Sequence, residues 1–119
     1  MKAVMLSVML IAAATIGINA QAAESSTKIT FAKNSYCGNF AGNIKNGKLF
    51  RLWLGADQNL VVRNVGHDQI RVAYVNGPKG RLDGDYYDDF NSFYTQNKGN
   101  HFIKVYGNTS YSSIEICAY

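Results

Sequence analysis

The sequence predicts an all-β fold: a single β-sandwich or jelly-roll domain of seven to eight antiparallel strands closed by one disulfide. Three observations point there. Short runs of alternating or β-branched residues recur at spacings of roughly ten residues, with turn clusters between them and no convincing helical period. The stretch Leu49–Val65 shows this best: Leu-Phe-Arg-Leu-Trp-Leu, a break at Gly-Ala-Asp-Gln-Asn, then Leu-Val-Val-Arg-Asn-Val. The chain also holds just two cysteines, Cys37 and Cys117, near the two ends of the pattern.

The chain opens with a segment outside that pattern. Met1-Lys2 is a short positive start, Ala3–Ile18 an apolar run, and Ala20-Gln21-Ala22 a small-residue cleavage pattern. Residues 1–22 therefore read as a secretory signal peptide and residues 23–119 as the β-sandwich domain. The apolar run is at the short end for crossing a bilayer, so no membrane span is expected after cleavage. The expected location is the periplasm or the cell exterior. Both are oxidising, and with no Cys-x-x-Cys spacing and no nearby His the cysteines read as a structural disulfide. Closing a loop of about 80 residues stabilises by roughly 4 kcal/mol in the chain-entropy model.

Within the domain, Lys28–Ala32 alternates as a first strand. Ser35–Ile44 follows, with Tyr36, Gly38, Phe40, Gly42 and Ile44 on one face, and its glycines suggest a strand passing close under a neighbour. Asn46-Gly47 is a strong hairpin signal. In Leu49–Gly55, the apolar set Phe50, Leu52 and Leu54 should face the core, leaving Arg51 and Trp53 outside as candidate partner contacts. Gly55, Asp57 and Asn59 supply turn chemistry toward Asn59–Val65, and the two runs read together as a hairpin. A further strand spans Ile70–Val75, and Asn76–Gly80 is a dense turn holding the only proline, Pro78. Arg81–Thr95 is the least regular part, rich in aromatics and acids. His101–Tyr106 and Tyr111–Ala118 complete the set, with Gly107–Ser110 between them.

Charge and chemistry narrow the function. The chain has 12 Lys+Arg and 8 Asp+Glu, a formal +4, and removing residues 1–22 deletes only Lys2, leaving about +3. Along the sequence this charge is mild and spread out, so no nucleic-acid partner is expected. His67 and His101, the only imidazoles, read as surface or turn residues, and no nucleophile setting or recognised metal spacing accompanies them. No catalytic residue, metal or cofactor is expected, and the protein does not read as an enzyme. Asp83, Asp85, Asp88 and Asp89 invite a calcium reading, but their order departs from a calcium loop and a solvated acidic loop is the simpler account. The neighbouring Tyr86, Tyr87, Phe90, Phe93 and Tyr94 are either packing or an interaction surface.

Phe40-Ala-Gly-Asn-Ile44, Leu49-Phe-Arg-Leu-Trp-Leu54 and Gly55-Ala-Asp-Gln58-Asn-Leu60-Val-Val62 together resemble the periplasmic inhibitors of g-type lysozyme and the related C-terminal pre-peptidase β-sandwich domains. Gly77-Pro78-Lys79-Gly80 resembles their Gly-Pro turn, and Gly99-Asn-His-Phe102-Ile-Lys-Val105 their late strand. The likeness runs from Ile29 to Ile116. It implies a sandwich fold and an exported inhibitor that binds a protein partner, a lysozyme or other muramidase. Candidate contacts are Lys79, Arg81, Tyr86 and Tyr87, with Arg51 and Trp53. The alternatives are an exported glycan-, peptidoglycan- or calcium-binding module and a periplasmic immunity protein against a toxin.

Overall fold

A computed structural model of the chain describes residues 24–119. The signal peptide expected over residues 1–22 lies outside the described residues. Ten strands follow in order: β1 (Thr27–Lys28), β2 (Cys37–Gly42), β3 (Lys48–Leu54), β4 (Asn59–Asn64), β5 (Ile70–Gly77), β6 (Gly80–Arg81), β7 (Gly84–Tyr86), β8 (Phe90–Tyr94), β9 (Gly99–Gly107) and β10 (Ser112–Ala118). Seven of them are five residues or longer; six coincide with runs of the sequence pattern, and the seventh, β8, falls in Arg81–Thr95, the stretch read as least regular. Of the three short ones, β6 and β7 have two and three residues, too few to show an alternation, and β1 corrects the expected first strand, spanning Thr27–Lys28 rather than Lys28–Ala32. All pairings are antiparallel except one: β1 runs parallel to β3, a correction to the all-antiparallel expectation.

The strands form two five-stranded sheets, β1-β3-β9-β5-β6 and β2-β10-β4-β8-β7. Their inner faces supply the core. Phe50, Leu52 and Leu54 of β3 lie buried with Ile103 and Val105 of β9 and Val75 of β5. The other sheet contributes Leu60 and Val62, Phe93, and Ile114 and Ile116 to the same cluster. Each such side chain stabilises by about 1.5–3 kcal/mol on full burial. Phe40 packs edge-on against Phe50, ring centres 5.1 Å apart. The close approach read from the glycines of β2 is real: a Cβ on Gly38 would sit 2.8 Å from both Ile29 Cγ2 and the Thr30 carbonyl.

Two turn assignments are overturned. The runs Leu49–Gly55 and Asn59–Val65 are not a hairpin, since β3 and β4 belong to opposite sheets. Asn46-Gly47 likewise carries the chain from β2 in one sheet to β3 in the other, with Gly47 at φ 93° and its N–H bonded to the Ile44 carbonyl. Turn chemistry reverses the chain but does not choose the layer it enters. The β3–β4 crossing is fastened by Thr95, a buried residue just past β8. Its Oγ1 donates to the Gly55 carbonyl at 2.7 Å and accepts from the Gln58 N–H at 2.8 Å, while its own N–H and C=O bond Gln58 and Asp57. The Gln58 side chain closes the loop by accepting the Gly55 N–H.

Cys37 and Cys117 are disulfide-bonded across directly paired positions of β2 and β10. His101 departs from expectation. It lies on the inner half of β9 with Ile103 and Val105 and is fully buried, with Nδ1 2.9 Å from the Gly99 carbonyl and Nε2 unpartnered. The alternation of β9 dictates this placement once Ile103 and Val105 take the core side.

Two substitutions test this packing. A Cβ on Gly84 collides with the buried Phe93 ring, so Gly84→Ala should lower the urea-unfolding free energy by about 1–3 kcal/mol. Thr95→Val keeps the shape and removes the hydroxyl between Gly55 and Gln58. It should lose about 1–3 kcal/mol in the same measurement, the range for leaving a buried partner unsatisfied.

Candidate functional site

The outward residues of the β1-β3-β9-β5-β6 sheet form rows across the strands. Cross-strand partners point to the same face, and the register aligns Lys28 with Arg51, Arg51 with Phe102, Phe102 with Asn76, and Asn76 with Arg81. One residue from each of the five strands thus lies in a single line, about 19 Å long at the usual strand spacing. A second row brings Lys104 beside Tyr74, and a third pairs Arg71 with Tyr106. Two guanidinium groups lie over rings: Arg81 is 4.5 Å from the Tyr74 ring centre and Arg71 is 4.6 Å from that of Tyr106. Trp53, 64% exposed, flanks a groove of about 230 Å³ lined also by Lys28–Phe31 and Leu52.

Charge is segregated between the layers, a correction to the even spread read along the chain. The five strands of this sheet carry six Lys or Arg and no Asp or Glu. Those of the other sheet carry one Arg, one Asp and one Glu. Acids cluster instead around β7, at exposed Asp83, Asp85, Asp88 and Asp89.

The start of the described chain already lies against the basic face. The Glu24 carboxylate accepts from Lys104 Nζ at 2.5 Å, and Ser26 Oγ accepts from Arg51 Nη1 at 2.9 Å. The hydrogen bond to Glu24, aided by its charge and opposed by desolvation, holds the Lys104 ammonium above the ordinary lysine range. Lys104 is therefore charged at every physiological pH. The stability this shift contributes is complete below the ordinary lysine value of 10.5 and fades as pH rises through the raised one.

The candidate contacts divide between two places. Arg51, Trp53 and Arg81 share the basic face, with exposed Lys79 in the β5–β6 turn at its margin. Tyr86 and Tyr87 belong to the far edge of the other sheet. Tyr86 is 57% exposed with its ring edge-on to Phe93 at 5.8 Å, and Tyr87 leans on Phe90 at 4.8 Å. Lys28, Arg71, Tyr74, Phe102 and Lys104 complete the face and were not singled out by sequence. The available signal was the outward half of each strand's alternation, legible only once the strand order is known. Among the described residues, one group of three metal-ligand atoms lies together, Cys37, Glu115 and Cys117, and both of its sulfurs are spent in the disulfide. No helix among them is long and apolar enough to cross a membrane.

No protein-family model matches this sequence, and no characterised protein matches it at the sequence level. Solved structures share its fold. Aeromonas hydrophila PliG, a periplasmic lysozyme inhibitor of g-type lysozyme, superposes with a TM-score of 0.57 at 19% identity over 80% of this chain and 96% of its own. A mutant of Escherichia coli PliG, an inhibitor of the same kind, gives 0.59 at 14% identity over 82% and 100%. The pre-peptidase C-terminal domain of a Bacillus anthracis collagenase gives 0.54 at 10% identity over 82% and 97%. These are the two groups that the sequence resembles, and at such identities the likeness establishes the β-sandwich fold.

Trp53 is the only tryptophan, so selectively excited tryptophan emission reports on the basic face alone. The emission should be that of a water-exposed indole, open to acrylamide quenching. Trp53→Ala should change the unfolding free energy by less than about 0.5 kcal/mol, as for an exposed position with no structural partner.

Proposed function

We propose that this protein is an exported inhibitor that binds and blocks a cell-wall-cleaving enzyme, a g-type lysozyme. The observation that carries the reading is the fold likeness to the g-type lysozyme inhibitors, over 80–82% of this chain. The basic, aromatic face agrees with it. Lysozyme chemistry depends on catalytic carboxylates, and a surface offering Arg, Trp and Tyr carries the residues that most often anchor a protein interface. Inhibition of this kind needs only binding, and the protein brings no reaction of its own. In this reading residues 1–22 direct export and are removed, and the Cys37–Cys117 disulfide suits the periplasm.

A second reading, an exported glycan- or peptidoglycan-binding module, draws on the exposed Trp53 beside its groove, since an aromatic face can stack on a sugar ring. Pull-down on insoluble peptidoglycan separates the two.

The deciding measurement is lysis of a cell-wall suspension by a g-type lysozyme. The full chain, expressed with its own leader and purified with the disulfide intact, is added in increasing amounts. Lysis should fall with dose and stop near molar equivalence, while undiminished lysis at large molar excess overturns the proposal.

A further inference from the structure

We infer that the outer face of the β1-β3-β9-β5-β6 sheet is the docking surface, and that it recognises a protein partner through a patch of carboxylates. The inference rests on the inhibitor reading only for the partner's identity. The surface and its ligand chemistry follow from the face itself.

Composition comes first. Lys28, Arg51, Arg71, Arg81 and Lys104 point outward from five adjacent strands that hold no Asp or Glu. Mutual repulsion makes such an arrangement unfavourable unless anions meet it, and a field of one sign steers an opposite partner into place. Next is preorganisation. Arg71 and Arg81 are held over tyrosine rings, which fixes the guanidinium planes and leaves N–H edges for the paired bonds that carboxylates accept.

The third observation shows what the face accepts. The residues just ahead of β1 already set a carboxylate on Lys104 and a hydroxyl on Arg51, through Glu24 and Ser26. Glu24 thus stands where a partner's Asp or Glu would, on a side chain that is itself 45% exposed over a Lys104 left 13% exposed.

Size favours a protein over a glycan strand. β9 has nine residues, which at the usual rise gives a length of about 30 Å, and five strands span about 19 Å. Because β1 and β6 are only two residues long, the 28 residues of the five strands cover roughly 440 Å² at that rise and spacing, over half of the ~800 Å² per partner of a stable protein interface. A sugar chain would cover one stripe of that plane.

The test uses poly-L-glutamate as the carboxylate probe, titrated into the ¹⁵N-labelled protein at low and at physiological ionic strength. Shifts should concentrate on the outward residues of β1, β3, β9, β5 and β6. Arg71→Glu with Arg81→Glu should weaken binding about tenfold or more, whereas Lys33→Glu with Arg63→Glu, of equal net charge but off the face, should change it less than about twofold. If the first double variant does not fold, Arg81→Gln on the exposed edge strand carries the comparison. Shifts centred on β7 and β8, or equal losses in both doubles, overturn the inference. So does tighter binding of a DNA duplex to the same residues, which would make the partner a nucleic acid. The lysis assay separates this inference from the inhibitor reading. A protein that binds the probe through this face but leaves lysis intact loses the inhibitor reading and keeps the face. If lysis is blocked equally well by Arg71→Glu with Arg81→Glu, the face is lost and the inhibitor reading stays.

Discussion

Burial between the two layers is the constraint on which everything else depends. Only β5–β6 and β7–β8 join hydrogen-bonded neighbours, and every other connection carries the chain from one sheet to the other. Neither sheet can therefore assemble from local hairpins. β3 finds its partner β9 more than forty residues along the chain, and such non-local pairing must be held by something other than proximity. That something is the contact of Phe50, Leu52 and Leu54 with Leu60, Val62, Ile114 and Ile116. The hydrogen-bonded ladders add direction to a structure whose cohesion is apolar.

This arrangement explains what could be read in the sequence. Period-two alternation is local, so six of the seven longer strands and the inward set Phe50, Leu52 and Leu54 were legible, as was the exposure of Trp53; β8 was not, because its residues lie within the aromatic and acidic stretch Arg81–Thr95, where no clean alternation stands out. Layer membership is not local. Gly55-Ala-Asp-Gln58 and Asn46-Gly47 have the residues of tight reversals, yet both lead across the core. His101 could be placed only after Ile103 and Val105 had claimed the inner face.

The candidate site was legible in pieces for the same reason. Arg51, Trp53 and Arg81 stood out one at a time. The absence of acids around them could not be seen, because the strands of that sheet are the first, third, ninth, fifth and sixth in the chain. A net charge near +3 conceals a molecule with one basic plane and an acidic rim at β7. Folding sorts the charges that the sequence interleaves, and it divides the work as well. The sheet with the smaller charge count holds the disulfide and the last strand, while the other presents the guanidinium groups.

The covalent link between Cys37 and Cys117, 80 positions apart, makes the chain topologically almost a ring. Everything from β3 to β9 lies inside the closed loop. A single cut by a protease in any connection between those residues, such as the exposed turn at Tyr87–Asp89 or at Asn108–Tyr111, would open the ring without releasing a fragment. Both pieces would stay tethered through the sulfur bridge and zipped across the core. With the export proposed above, the protein could not be resynthesised where it works. Built this way, it can lose a peptide bond and still remain one molecule.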